Sequence, residues 1–125
     1  MSNMRTASGA IVALLALTLA AIHALAQEYS LYWSLDWFDI PVHFLGGVVV
    51  GGAFVWFFTF EFPRMPHRLL AVIALSLIIV VTWEVFEYTT GTYGALHYWT
   101  DTGLDLAMDA LGVALAYASF RLYAR

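Results

Sequence analysis

PVHFLGGVVVGGAFVWFFTF, residues 41–60, is a run of twenty residues without a single Asp, Glu, Lys or Arg. A bilayer hydrocarbon core about 30 Å thick is crossed by roughly 20 helical residues. This stretch therefore reads as a membrane-spanning helix. Working outward, three more windows of that length appear, at 7–26, 69–88 and 103–123. The first is equally free of charge. The third is clean as far as Trp83 and then carries Glu84 and Glu87, and the fourth holds Asp105 and Asp109. The expected architecture is an all-α, integral-membrane four-helix bundle forming a single transmembrane domain over 1–125.

Composition supports lipid as the solvent. The chain has 125 residues, of which 62% are hydrophobic and 11% charged, against about 25% charged in soluble domains. Mean hydropathy is +0.80. A soluble chain this small cannot bury so much apolar surface. Cysteine is absent, which excludes disulfides, thiolate metal sites and cysteine nucleophiles. A net charge of −4 argues against a nucleic-acid partner.

The connectors are punctuated. Asp39-Ile40-Pro41 reads as a helix start with proline in the first turn. Residues 61–68 hold two prolines and two arginines and form a polar turn. Gly91 suits a helix C-cap, and Thr100-Asp101 an N-cap. There is no lysine, and the five basic residues are Arg5, Arg64, Arg68, Arg121 and Arg125. With four spans all five fall on one side, which the positive-inside rule makes cytoplasmic, both termini included. Tyr29, Tyr32, Trp33, Trp37, Tyr93, Tyr98 and Trp99 would then form an outer aromatic belt. Trp56, Phe60, Tyr117 and Tyr123 would form an inner one. Ala24-Leu25-Ala26 before Gln27 also matches a signal-peptide cleavage site, but the apolar run before it is long for that role. Retention of the first span is expected.

The chemistry concentrates at the outer end. His43 lies about one turn inside the second span. Glu84 and Glu87 end the third, and Asp101, Asp105 and Asp109 open the fourth. At 1.5 Å per residue all six fall within about 13 Å of one surface. Asp101, Asp105 and Asp109 are spaced i, i+4, i+8 and share a stripe. His43, Gly47 and Gly51 share another, lined with small residues that permit close helix approach. A charged residue facing lipid costs about 2.5 kcal/mol or more, so these stripes should face one another. Gly46 and Gly52 are read as helix-packing glycines, with no phosphate-loop spacing. Glu28, Asp36 and Asp39 read as interfacial acids, Asp101 as a dipole-stabilised cap, and His23 and His97 as polar anchors. His67 belongs to the inner turn.

No Lys or Arg stands on that side to neutralise Glu84, Asp105 and Asp109, and close carboxylates in a low dielectric cannot all stay ionised unpaired. Shared protons, a divalent metal ion or a cationic ligand would each resolve the conflict. By ligand type the set suits zinc, manganese, iron or magnesium. In the metal reading His43, Glu84, Asp105 and Asp109 hold the ion, Asp39 and Asp101 complete the polar site, and Glu87 is the general base for chemistry on a lipid or envelope phosphate. The alternatives are a proton-coupled transporter of a small cation, in which Glu84 and Asp109 exchange protons, and a structural or accessory subunit. A homodimer or a larger membrane complex is compatible with each.

At these residues the chain resembles the VanZ-like group of small bacterial membrane proteins. The shared pattern is Asp39-x3-His43-Phe44, then Trp83-Glu84-Val-Phe-Glu87, then Asp101-x3-Asp105-x3-Asp109-Ala-Leu-Gly112. The likeness covers roughly Asp36 to Ala116. It departs at Glu87, where the group has Gln, at Tyr98-Trp99-Thr100 before the first aspartate, and at Asp109-Ala-Leu-Gly112 in place of Asn-Thr-x-Gly. The chain is also similar to related small uncharacterised bacterial inner-membrane families with the His…Trp-Glu…Asp pattern, and the resemblance implies a multi-pass protein of the bacterial inner membrane and no particular reaction.

Overall fold

The structure, a computed structural model, describes residues 2–91 and 98–123. Its elements are α1 (Ser2–Glu28), a short α2 (Leu31–Ser34), α3 (Asp39–Phe60), α4 (Arg68–Thr90) and α5 (Tyr98–Tyr123). Four of them, all but α2, are long and apolar enough to cross a membrane. Each extends a few residues beyond its expected window, because flanking polar residues continue the hydrogen-bond ladder. Large apolar side chains point outward along the spans, Leu14 at 65% exposure and Leu70 at 66%, as a lipid-facing surface requires.

Local sequence explains the ends. Asp39 opens α3 and lies in its first turn with Pro41. Gly91 closes α4 in the left-handed region at φ 69°, its N–H bonded to the Glu87 carbonyl, the C-cap geometry glycine favours. His67 adopts φ 60° before α4, an uncommon conformation for a non-glycine residue. The Thr100-Asp101 cap is corrected: α5 is already helical at Tyr98, so Asp101 sits in the first turn. Its charge still meets the exposed N–H groups there. The helix α2 has no counterpart among the expected elements, since four residues carry no period. In α1 the helix runs unbroken through Ala24–Gln27, and Ala26 is fully buried. Tyr93, His97, Arg125 and the side chain of Tyr123 lie outside the described residues.

The tightest pairing is α3 with α5. These helices run in the same direction, since Gly47 meets Asp109 and Gly51, one turn further on, meets Val113. A Cβ at Gly51 would stand 2.7 Å from the Val113 Cα, and one at Gly47 or Gly112 would overlap the opposing backbone. Only glycine allows this approach. Buried positions on α3 recur every four residues at His43, Gly47, Gly51 and Val55. On α4 they are Val72, Ser76, Val80 and Glu84. Four-residue ridges meshing with one another give close, right-handed helix crossings.

Each stripe changes character along its length. At one end Val55, Phe58 and Val72 form the apolar core, with Phe54, Tyr117 and Phe120 against them. At the other end the same stripes carry His43, Glu84, Asp101, Asp105 and Asp109, all buried. The helix α1 docks on α3 at the apolar end, where Gly9 lies against Trp56 and Val12 against Gly52. The Trp56 indole donates to the Arg5 carbonyl at 3.0 Å, and Arg5 pairs with Glu61. Arg5 and the Arg64–Arg68 turn thus share the end opposite the acids, with Arg121 in the last turn of α5.

Candidate polar centre around His43

The site is assembled by three stripes and one imidazole. On α3, Asp39 and His43 stand one turn apart. On α5, Asp105 and Asp109 face them in the register the glycines set. From α4, Glu84 enters one residue before the helix turns its exposed Val85 and Phe86 to lipid. His43 is only 5% exposed, Glu84 4%, Asp105 2% and Asp109 4%.

Four carboxylates surround the His43 ring. Asp109 Oδ2 lies 3.1 Å from Nδ1, within hydrogen-bond reach, and Glu84 Oε1 lies 3.9 Å from the same nitrogen. On the other nitrogen, Asp39 Oδ1 is 3.5 Å and Asp105 Oδ1 3.9 Å from Nε2. The residues therefore form two triads sharing His43, one with Glu84 and Asp109, the other with Asp39 and Asp105. Within each triad the donor atoms lie inside 4.8 Å of one another. The four residues expected to share an ion are brought together, but Asp105 stands on the ring nitrogen opposite Glu84 and Asp109.

The charge balance is unfavourable without a further partner. One imidazolium offsets one carboxylate of four. Unit charges about 4 Å apart interact by ~4 kcal/mol at an effective dielectric of about 20, so the remaining repulsion is substantial. Among the described residues Glu84 Oε1 is fully buried and accepts no hydrogen bond, while Thr102 hydrogen-bonds to the same carboxylate group. A buried carboxylate oxygen left so costs the full desolvation of a charged acceptor, more than the ~1–3 kcal/mol of a neutral group.

Beside the centre, a cavity of about 310 Å³ lies between α1, α3 and α4, reached by Asp39, His43, Glu87 and Asp109. Glu87 is half-buried on its wall and outside both triads. Asp36 and Glu28 are exposed, as interfacial acids should be. Asp39 is not of that kind, being half-buried against His43. Its i, i+4 spacing from His43 was the available sequence signal. The sequence places Asp39 in the polar site as well as at the interface, whereas His23 and Tyr32 were missed as site residues. His23 Nδ1 and the Tyr32 hydroxyl share a hydrogen bond of 2.8 Å, and both line the cavity. Burial pushes the Tyr32 phenol up to about 12, with Asp39 and Glu87 adding to the effect, so its hydroxyl stays neutral at any physiological pH.

No curated protein and no solved structure matches the chain. A family model described as "Predicted membrane protein (DUF2238)" matches residues 2–125. The match covers nearly the whole chain, and the protein belongs to that membrane-protein family.

Proposed function

We propose that the His43 centre binds a divalent metal ion and presents it to a lipid or envelope-derived ligand entering through the neighbouring cavity. The observation that carries this reading is Glu84 Oε1, buried without a donor beside His43 Nδ1 and Asp109, in a chain whose cations stand at the other end. Ligands at about 2.0–2.2 Å from one ion lie roughly 3–3.5 Å from each other. The spacings of 3.1 and 3.9 Å on the Nδ1 side are within a few tenths of an ångström of that range. In this reading His43, Glu84 and Asp109 are the ligands. Asp39 and Asp105 stand 3.5 and 3.9 Å from Nε2, the side on which a carboxylate behind a metal-bound histidine takes the ring proton. One nitrogen and several oxygens suit manganese, magnesium, iron or zinc. The VanZ-like spacing of Asp39, His43, Glu84 and Asp109 falls on these same residues. The arginine distribution supports an inner-membrane protein with both termini cytoplasmic.

The test is elemental analysis of the purified chain with variants. Glu84→Gln and Asp109→Asn should abolish stoichiometric metal, whereas Asp105→Asn should weaken it about 10- to 100-fold. Metal retained by Glu84→Gln would remove the reading. A purely structural polar core is the second reading, favoured by the His43–Asp109 hydrogen bond. It predicts metal-free protein whose stability is indifferent to chelators.

A further inference from the structure

The cavity between α1, α3 and α4 has polarity, length and width that together specify a guest. Its polar residues gather at one end: Asp39 on α3, Glu87 and Trp83 on α4, His23 on α1 and Tyr32 on α2. Below them the wall is apolar, down to Ala16 on α1, Val49 and Val50 on α3 and Ile79 on α4. From Glu87 to Ile79 is eight residues, about 12 Å at 1.5 Å per residue. On α3 the lining runs from Asp39 to Val50, eleven residues or about 16 Å at 1.5 Å per residue, so for its volume of about 310 Å³ the cavity is long and narrow. Among the described residues α1 and α4 are not a closely packed pair and touch through His23 and Trp83 at the polar end, so the route from the bilayer lies below that contact.

The polar end selects the head by charge. Among the described residues no Arg or Lys lines it, and its basic nitrogens are the imidazoles of His23 and His43; Arg and Lys are the usual ligands of phosphate and carboxylate groups. Asp39 and Glu87 face the cavity, with Asp109 behind them. The nearby acids Glu84 and Asp105 bring the local carboxylates to five, more than the two charges of one divalent ion offset. Aromatic rings line the same end. His23 sits edge-on to Trp83 with ring centroids 5.7 Å apart and shares a hydrogen bond with Tyr32. Neutral Tyr and Trp faces attract an ammonium group.

We propose that this crevice binds an amphiphilic amine, with a single alkyl chain along α3 and α4 and its ammonium head held by Glu87 and Asp39 beneath Trp83 and Tyr32. The lipid half of the proposed function is thereby given a chemical class, and the ion at His43 is not needed for it. Glu87 acts as the counter-ion of the head, in place of the general-base role expected from sequence. The class is a single-chain amine, since a phospholipid amine would bring a phosphate beside its ammonium with no Arg or Lys among the described lining residues to meet it.

The experiment is equilibrium binding of radiolabelled dodecylamine to the full chain in phosphatidylcholine nanodiscs, with empty discs subtracted. Saturable binding near one per chain is expected. Unlabelled dodecylamine should displace it, while dodecanoate and ethylamine should not. Glu87→Gln, which keeps the side-chain shape, should weaken binding about tenfold or more, since a hydrogen bond to a charged group contributes roughly 1.5–3 kcal/mol. Ala20→Phe, which fills the apolar wall, should do the same. Chelator should leave the binding unchanged, so failure of the metal reading and failure of this one are separable. Binding should be equal in discs containing phosphatidylethanolamine, and competition by that two-chain phospholipid would overturn the single-chain assignment. No saturable binding, preference for dodecanoate, unchanged affinity in Glu87→Gln, or loss of binding with chelator would overturn the proposal.

Discussion

Replacing Gly47 by alanine adds one methyl group at the point where the fold and the site meet. A Cβ there would stand 2.8 Å from the Asp109 Cα and closer still to its carbonyl, where ordinary contact begins at 3.4 Å. The helix α5 must retreat by more than the ~0.6 Å that the Cα alone would require, because the carbonyl oxygen is nearer still. Overpacking of this kind costs roughly 1–3 kcal/mol. Alanine also recovers about 1 kcal/mol of intrinsic helix propensity, which masks part of the loss. The matched control is Gly103→Ala on α5, where nothing lies within 4 Å of the added Cβ. Propensity alone operates there, so Gly103→Ala should stabilise by about 0.5–1 kcal/mol. The difference between the two variants isolates the packing cost, and Gly47→Ala should be the less stable by roughly 1–3 kcal/mol. Reversible unfolding in mixed detergent micelles measures it. Because Asp109 is the residue displaced, the His43–Asp109 approach of 3.1 Å should also open, visible as a changed imidazole resonance in Gly47→Ala alone. Equal stability of the two variants would refute the close α3–α5 contact and the register built on it.

Other substitutions carry signs of their own. Ser76 is buried with no hydrogen-bond partner for its hydroxyl, so Ser76→Ala should stabilise the protein by ~1 kcal/mol in the same unfolding assay; destabilisation would mean the hydroxyl has a partner. Tyr32→Phe removes the bond to His23 and should cost about 1 kcal/mol. Phenolate absorbance of the wild type should also show one tyrosine titrating near 12 that is missing from Tyr32→Phe. The folded phenol holds its proton above the ordinary 10.0, so this group's contribution to stability falls only as pH rises from about 10 towards 12. Since the chain has no cysteine, a cysteine at Met65 should react with an impermeant thiol reagent only after cells are opened, and one at Ser34 should react from outside. The reverse pattern would invert the topology.

Much of this architecture is legible in residue spacing, and the limits of that legibility are physical. Apolar length alone separates the four spans, and the i, i+4 placement of His43, Gly47 and Gly51 fixes a face. A face, however, is a property of one helix. The register of α3 against α5 comes from Gly47 and Gly112 letting two backbones meet, and no single-helix period encodes it. That register decides that Asp39 belongs beside His43 and not at the interface. It also sends Asp105 to one ring nitrogen and Asp109 to the other, where spacing had made them equivalent. His23 escaped notice because a lone histidine near a span's end has no period. Its importance rests on Tyr32, carried by the four-residue α2, and on Trp83 from α4.

The central claim is that the buried acids around His43 are neutralised by a bound divalent ion. Elemental analysis of the purified chain, before and after chelator, in parallel with Glu84→Gln, tests it most directly. The account predicts about one transition-metal or magnesium ion per chain in the wild type, none in Glu84→Gln, and a thermal midpoint that chelator lowers only in the wild type. Metal-free wild-type protein with a chelator-insensitive midpoint would contradict it.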